Sequence, residues 1–107
     1  MKFIYVTMNI SRLDPFKEFL DKNKFKSYQI IEQVSGRQFT GSPRMNTSIW
    51  PGHNSVVCIQ CEKDRMEVLL REIQLMNSAI INESERIMAV AFPCEGFVYS
   101  DGTGVEK

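Results

Sequence analysis

The 107 residues predict an α+β sandwich of the ferredoxin-like type, a single βαββαβ unit with one antiparallel sheet and both helices packed on one of its faces. Three observations carry that expectation. Four runs of strand composition and two of helical periodicity follow one another in the order β-α-β-β-α-β. The first and last strand runs are apolar on both parities, as expected of strands covered on both faces. Between the second and third strands lies a Gly/Pro-punctuated stretch, residues 35–54. It is far longer than the roughly two to five residues of a usual hairpin connection, and such a loop inside a compact domain is expected to be functional.

Taken in order, residues 2–8 (Lys-Phe-Ile-Tyr-Val-Thr-Met) are β-branched, aromatic and apolar, and predict a central strand. Asn9 to Ser11 predicts a turn. Asp14-Pro15 then reads as an N-cap followed by proline at the first helical position. Leu13, Phe16, Phe19 and Leu20 recur at helical spacing, and Lys22 and Lys24 stand where cations suit a helix C-terminus. Residues 27–34 and 55–61 predict a hairpin with the long loop at its tip. The second helix is predicted over residues 63–77, with Met66, Leu69, Leu70, Ile73 and Met76 as the core stripe and Lys63, Glu67, Arg71 and Glu72 turned away. After a polar break at 82–85, residues 86–92 predict the last strand, closed by Pro93. Phe97-Val98-Tyr99 is a candidate for a short extra strand. Residues 1–99 thus form the domain, and 100–107 have the composition of a flexible tail.

Two helices cover one face of a sheet. With the first and last strands apolar on both parities, the other face is expected to be buried against further copies of the chain, in a homotrimer with sheets inside and helices outside.

Composition narrows the function classes. Thirteen basic residues balance thirteen acidic ones, so the broad positive field of a nucleic-acid or anionic-membrane binder is absent. No apolar run approaches the roughly twenty residues that cross a bilayer, so no direct membrane insertion is expected. Three cysteines, an odd number at awkward spacing, with Met1-Lys2 running straight into a strand, are expected to be reduced thiols of a cytoplasmic protein.

Few constellations suggest chemistry. Gly36-Arg-Gln-Phe-Thr-Gly41-Ser42 has the glycine spacing of a phosphate loop but no lysine, so it is rejected as a Walker motif. Gly36 still lets backbone approach a ligand, and Arg37 and Arg44 suit phosphate or carboxylate, against the plainer reading of a turn glycine and two solvated arginines. Cys58 and Cys61 have C-x-x-C spacing, but residues three apart on a strand point to opposite faces and can neither bridge nor share a metal. Cys94 is a lone thiol. His53, the single histidine, is a surface loop residue or a soft-metal ligand shared with Met45 or with a cysteine of a neighbouring subunit. No acid/base pair of carboxylates is evident, and no catalytic activity is expected.

Glu32-Gln-Val-Ser-Gly36-Arg37-Gln38, at the end of the second strand and opening a long loop in a β-α-β-β-α-β chain, resembles the nitrogen regulatory PII signal-transduction superfamily in a divergent, PII-like branch. The similarity runs from Met1 to about Val98 and includes Met-Lys-Phe-Ile at the start, Leu13-Asp14 with Phe16-Lys17-Glu18 at the first helix, and Pro93 closing the fourth strand. This resemblance implies a cytoplasmic, non-enzymatic trimer that binds adenine nucleotides in clefts between subunits. It also implies that the long loop, the T-loop of that family, engages a partner such as a membrane transporter.

By position, the resemblance puts Gly36 and Arg37 against the nucleotide and matches Gln38 to the glutamine that helps hold 2-oxoglutarate beside magnesium. The family's second nucleotide loop is rich in glycine and lysine. Here the corresponding Ala79-Ile-Ile-Asn-Glu-Ser-Glu85 has neither, its Glu83 and Glu85 repel phosphate, and Arg86 is left to stand in for the lysine. Arg44, Met45, Trp50 and His53 are the expected partner-facing residues. The alternative is a heavy-metal-responsive trimer resembling the copper-tolerance relatives, with His53, Met45 and Cys94 as ligands.

Overall fold

The computed structural model describes residues 1–34, 53–82, 85–96 and 98. The elements are β1 (Lys2–Asn9), α1 (Leu13–Lys22), β2 (Tyr28–Val34), β3 (Asn54–Cys61), α2 (Lys63–Ser78) and β4 (Met88–Pro93). The strands form one sheet in the order β2-β3-β1-β4, and every pairing in it is antiparallel. This is the α+β ferredoxin-like arrangement, with β1 in its interior. Residues 28–34 and 54–61 form the expected hairpin.

Register divides the strand residues between two faces. Ile4, Val6 and Met8 of β1 lie opposite Ile59, Val57 and Ser55 of β3, and Ile4 and Val6 lie opposite Ala91 and Ala89 of β4. These residues face the helices. Leu13, Phe16 and Leu20 of α1 and Leu69 and Ile73 of α2 complete one core with them, and Met66 and Met76 pack on its edge. The period of about 3.6 residues in each helix brings these side chains onto one stripe, where they leave water together.

The opposite face carries Phe3, Tyr5, Ile31, Val56, Val90 and Phe92. Phe3 and Phe92 are direct cross-strand partners, their rings meeting edge to face with centroids 5.4 Å apart. At the centre of this face Thr7 and Val56 are buried, whereas Tyr5, Ile31, Val90 and Phe92 remain 39–50% exposed. Both parities of β1 and β4 are apolar, as read from the sequence, but in the single chain only the helix face is fully covered.

Four local features differ from the sequence reading. Asn9 to Ser11 leads into a 3-10 turn over Ile10–Arg12, in which the Asn9 side chain accepts from the Ser11 N–H at 2.9 Å. That turn feeds α1 directly, so Arg12 takes the cap position and makes no side-chain cap bond. Asp14 is therefore inside the first turn rather than the N-cap, and Pro15 is the third helical residue. Pro15 fits there because that N–H would have no intrahelical acceptor anyway. β4 begins at Met88, because Arg86 and Ile87 belong to the turn before it. Val98 is in no strand, and Phe97, Tyr99 and residues 100–107 lie outside the described residues.

α1 ends on an unusual residue. Lys24 has φ 63°, the left-handed conformation that glycine favours, and the chain closes there with Lys24 N–H to the Asp21 carbonyl at 3.1 Å and Phe25 N–H to the Leu20 carbonyl at 2.9 Å. Arg65 of α2 secures the turn from the other side. Its guanidinium lies 4.3 Å from the Phe25 ring centroid and donates to the Asn23 carbonyl. The Cβ of Lys24 still opposes the left-handed backbone. Lys24→Gly should therefore raise the unfolding free energy by about 1 kcal/mol in urea titrations, and no gain or a loss would contradict this account.

Candidate functional site

Two pieces of chain converge at the end of the sheet where β1 finishes. The first is the base of the 35–52 segment. Ile31 lies opposite Val56 but Val34 opposite Asn54, so β2 holds one extra residue against β3. This is a β-bulge, the kind of irregularity that bends a strand next to functional loops. The buried Ser55 stabilises it by donating its hydroxyl to the Glu32 carbonyl at 2.7 Å.

Across the base, the Gln33 amide nitrogen lies 3.4 Å from His53 Nδ1, and the Ile10 N–H donates to the His53 carbonyl at 2.9 Å. The His53 end is thus tied to Ile10, just past β1, and Gln33 links the other end to it. His53 is a half-buried part of that base.

The second piece is the turn between α2 and β4. Asn77 closes it with two bonds to one residue: its side-chain NH₂ donates to the Ile87 carbonyl at 2.8 Å and its side-chain oxygen accepts from the Ile87 N–H at 2.7 Å. Inside this clip the Ile80 N–H donates to the Asn77 carbonyl at 3.0 Å, and Arg86 Nε donates to the Ile80 carbonyl at 3.2 Å. Arg12 Nη2 lies 3.2 Å from Glu85 Oε1, joining the start of α1 to the turn.

β3 and β4 flank β1, so the loop base and the turn are separated by two inter-strand spacings, on the order of 10 Å. The structure therefore brings His53 and the exposed Arg86 to the same end of the sheet. Gly36, Arg37, Gln38, Arg44, Met45 and Trp50 lie outside the described residues.

Cys94 is elsewhere. Its N–H donates to the Met1 carbonyl at 3.1 Å, at the opposite end of β1 from Ile10, which holds His53. Nine residues of extended chain separate the two attachment points, roughly 30 Å. Within one chain, His53 and Cys94 cannot ligate one ion. Among the described residues no three of His, Cys, Asp and Glu stand close enough together to hold a metal. Cys58, opposite Tyr5, and Cys61, opposite Lys2, fall on different sheet faces, and both are free thiols. Burial pushes the Cys61 thiol above its ordinary pKa, with the nearby Arg65 acting the other way.

Sequence reasoning missed the bulge, Ser55 and the Asn77 clip. The consecutive polar pair Glu32-Gln33, which breaks the alternation of β2, was the available signal for the bulge. For Asn77 there was none, since its partner lies ten residues on.

No protein-family model matches the chain, and no curated protein matches it in sequence. Solved structures do match in shape. Two are structures of CPII, a nitrogen regulatory PII-like protein from Thiomonas intermedia K12, one bound to ADP, AMP and bicarbonate and the other to ADP and bicarbonate. Each is 14% identical, with a TM-score of 0.64 over 85% of this chain and 84% of that one. A PII-like signaling protein from Thermus thermophilus is 13% identical, with a TM-score of 0.59 over 85% and 83%. The chain has the PII-like variant of the ferredoxin-like fold. Among the described residues no helix is long and apolar enough to cross a membrane.

Two measurements test this geometry. Asn77→Ala leaves both backbone groups of Ile87 without their partner and should cost roughly 1–3 kcal/mol in urea unfolding, with faster hydrogen exchange at Ile87. An unchanged midpoint would remove the clip from the account. The raised pKa of Cys61 means less thiolate at any given pH near 8, so iodoacetamide should label it more slowly than a free thiol when the sites are mapped by mass spectrometry. The sign for stability follows: the folded state holds the proton more tightly, so this contribution is complete below the unfolded thiol pKa and is lost as pH rises through the folded one.

Proposed function

We propose that the chain is a non-enzymatic, PII-like regulatory protein. It assembles as a homotrimer, binds an adenine nucleotide in the clefts between subunits, and controls a protein partner through residues 35–54. The observation that carries this reading is the shape match, over most of both chains, to a PII-like protein captured with ADP, AMP and bicarbonate.

Two features of the chain support it. The apolar sheet face bearing Tyr5, Ile31, Val90 and Phe92 needs a cover that two helices cannot supply. The loop base and the Arg86 turn stand at one sheet end, where Gly36 and Arg37 would meet the nucleotide from one side and Arg86 from the other. By the resemblance, Gln38 belongs to the same ligand-facing group.

The turn shapes the choice of nucleotide. Asn77 and Arg86 use its polar groups internally, and it has no glycine to turn its N–H groups toward a phosphate chain. With few cations to offset three phosphates, the nucleotides of lower charge, ADP and AMP, are favoured over ATP. The partner is a protein, with a membrane transporter as the leading class, contacted by Arg44, Met45, Trp50 and His53.

Native mass spectrometry should show three copies, and calorimetry should show ADP or AMP binding that Arg37→Ala weakens by about tenfold or more. Val90→Lys, at an exposed strand position, should yield folded monomers by light scattering with unchanged far-UV circular dichroism. A monomeric wild type, or absence of binding with all of ATP, ADP and AMP, with and without bicarbonate, would reject the reading.

A further inference from the structure

On the helix side of the molecule, away from the open sheet face, α1 and the end of α2 leave a pocket of about 320 Å³. Phe16, Met76, Ala79, Ile80 and Ile87 supply apolar walls, and Arg12 supplies a cation. Arg12 is only partly satisfied. Its Nη2 lies 3.2 Å from Glu85 Oε1, while its Nε is buried and has no hydrogen-bond acceptor among the described residues. Leaving a guanidinium N–H dry and unpaired is unfavourable, and buried groups of this kind call for an explanation.

We propose that this pocket binds a small amphipathic carboxylate, with its apolar body between α1 and the end of α2 and its carboxylate on Arg12. The guanidinium edge formed by Nε and Nη2 matches a carboxylate's two oxygens; Nε is covered in the empty pocket, so the partly exposed Arg12 side chain would turn to present that edge, giving Nε the acceptor it lacks while sharing Nη2 with Glu85. One cation, already half committed to Glu85, matches a monoanion and not a polyphosphate. The volume is at the small end of the range for ligand pockets, roughly 300–1,000 Å³, and the apolar walls select a hydrocarbon body over a sugar.

Glu85 is the built-in competitor. It holds Arg12 at the rim when the pocket is empty and yields part of that contact when a carboxylate enters. The site is separate from the proposed nucleotide cleft and does not depend on it. It does adjoin the Asn77-clipped turn that carries Arg86, so an occupant would stiffen the segment leading into β4.

The test is a titration of the full chain with hexanoate, and separately with hexan-1-ol as the uncharged counterpart, read by methyl NMR at Met76, Ile80 and Ile87. Hexanoate should shift these methyls saturably and bind about tenfold more tightly than hexanol. Arg12→Gln should abolish that preference. Glu85→Gln, at a partly exposed position where folding is not at risk, should strengthen hexanoate binding and leave hexanol unchanged. Equal binding of the two probes, the absence of saturable shifts with either, or an unchanged hexanoate affinity in Glu85→Gln would each overturn the proposal. If Arg12→Gln does not fold, the Glu85→Gln result decides by itself.

Discussion

A four-stranded sheet in which β1 and β4 are apolar on both faces cannot be covered by two helices. Most of this structure follows from that constraint. α1 and α2 bury the side chains of one parity, Ile4, Val6, Val57 and Ile59, in a single core. The other parity leaves Tyr5, Ile31, Val90 and Phe92 partly in water, with the Phe3–Phe92 pair packed edge to face among them. Such a contiguous apolar surface is unfavourable alone and favourable as an interface. The proposed assembly would therefore rest on the sheet itself.

Polar groups at one end of the sheet act as fasteners. A bulge in β2 turns the chain out of the ladder, and Ser55 satisfies the Glu32 carbonyl that the bulge would leave unpaired. On the far side of β1, Asn77 holds both backbone groups of Ile87, and so fixes where β4 starts. Each fastener replaces a missing ladder bond with a side-chain bond, the general requirement for irregular backbone beside a packed core. As a result the described anchor points of two non-repetitive segments, at Gln33 with His53 and at Asn77 with Ile87, stand about two strand spacings apart. Under the proposed function, ligand recognition at that end would depend on which cations the segments carry, and this turn carries Arg86 where a glycine- and lysine-rich loop would carry several donors.

Local patterns and long-range pairings played different parts. The element order, four of the five predicted stripe residues (Met66, Leu69, Ile73 and Met76, with Leu70 outside the core cluster) and the two-sided apolarity of β1 were legible because burial imposes periods of about two and 3.6 residues on any sequence. Asp14-Pro15 read as a helix start and was displaced. A 3-10 turn, begun by the Asn9 side chain two residues along, delivers the chain already helical at Leu13. The left-handed Lys24 was invisible for a related reason. Contacts from Arg65, forty-one residues on, hold a conformation that the residue itself disfavours.

By itself the sequence determined the fold class and the strand and helix positions to within a residue or two. These are consequences of side-chain periodicity and turn chemistry, which act over a few residues. Tertiary structure alone decided which distant residues meet: Gln33 with His53, Asn77 with Ile87, Arg12 with Glu85, and His53 at the opposite end of β1 from Cys94. Those pairings depend on strand register and on where each irregular segment leaves the sheet, and no pattern within a short window encodes either.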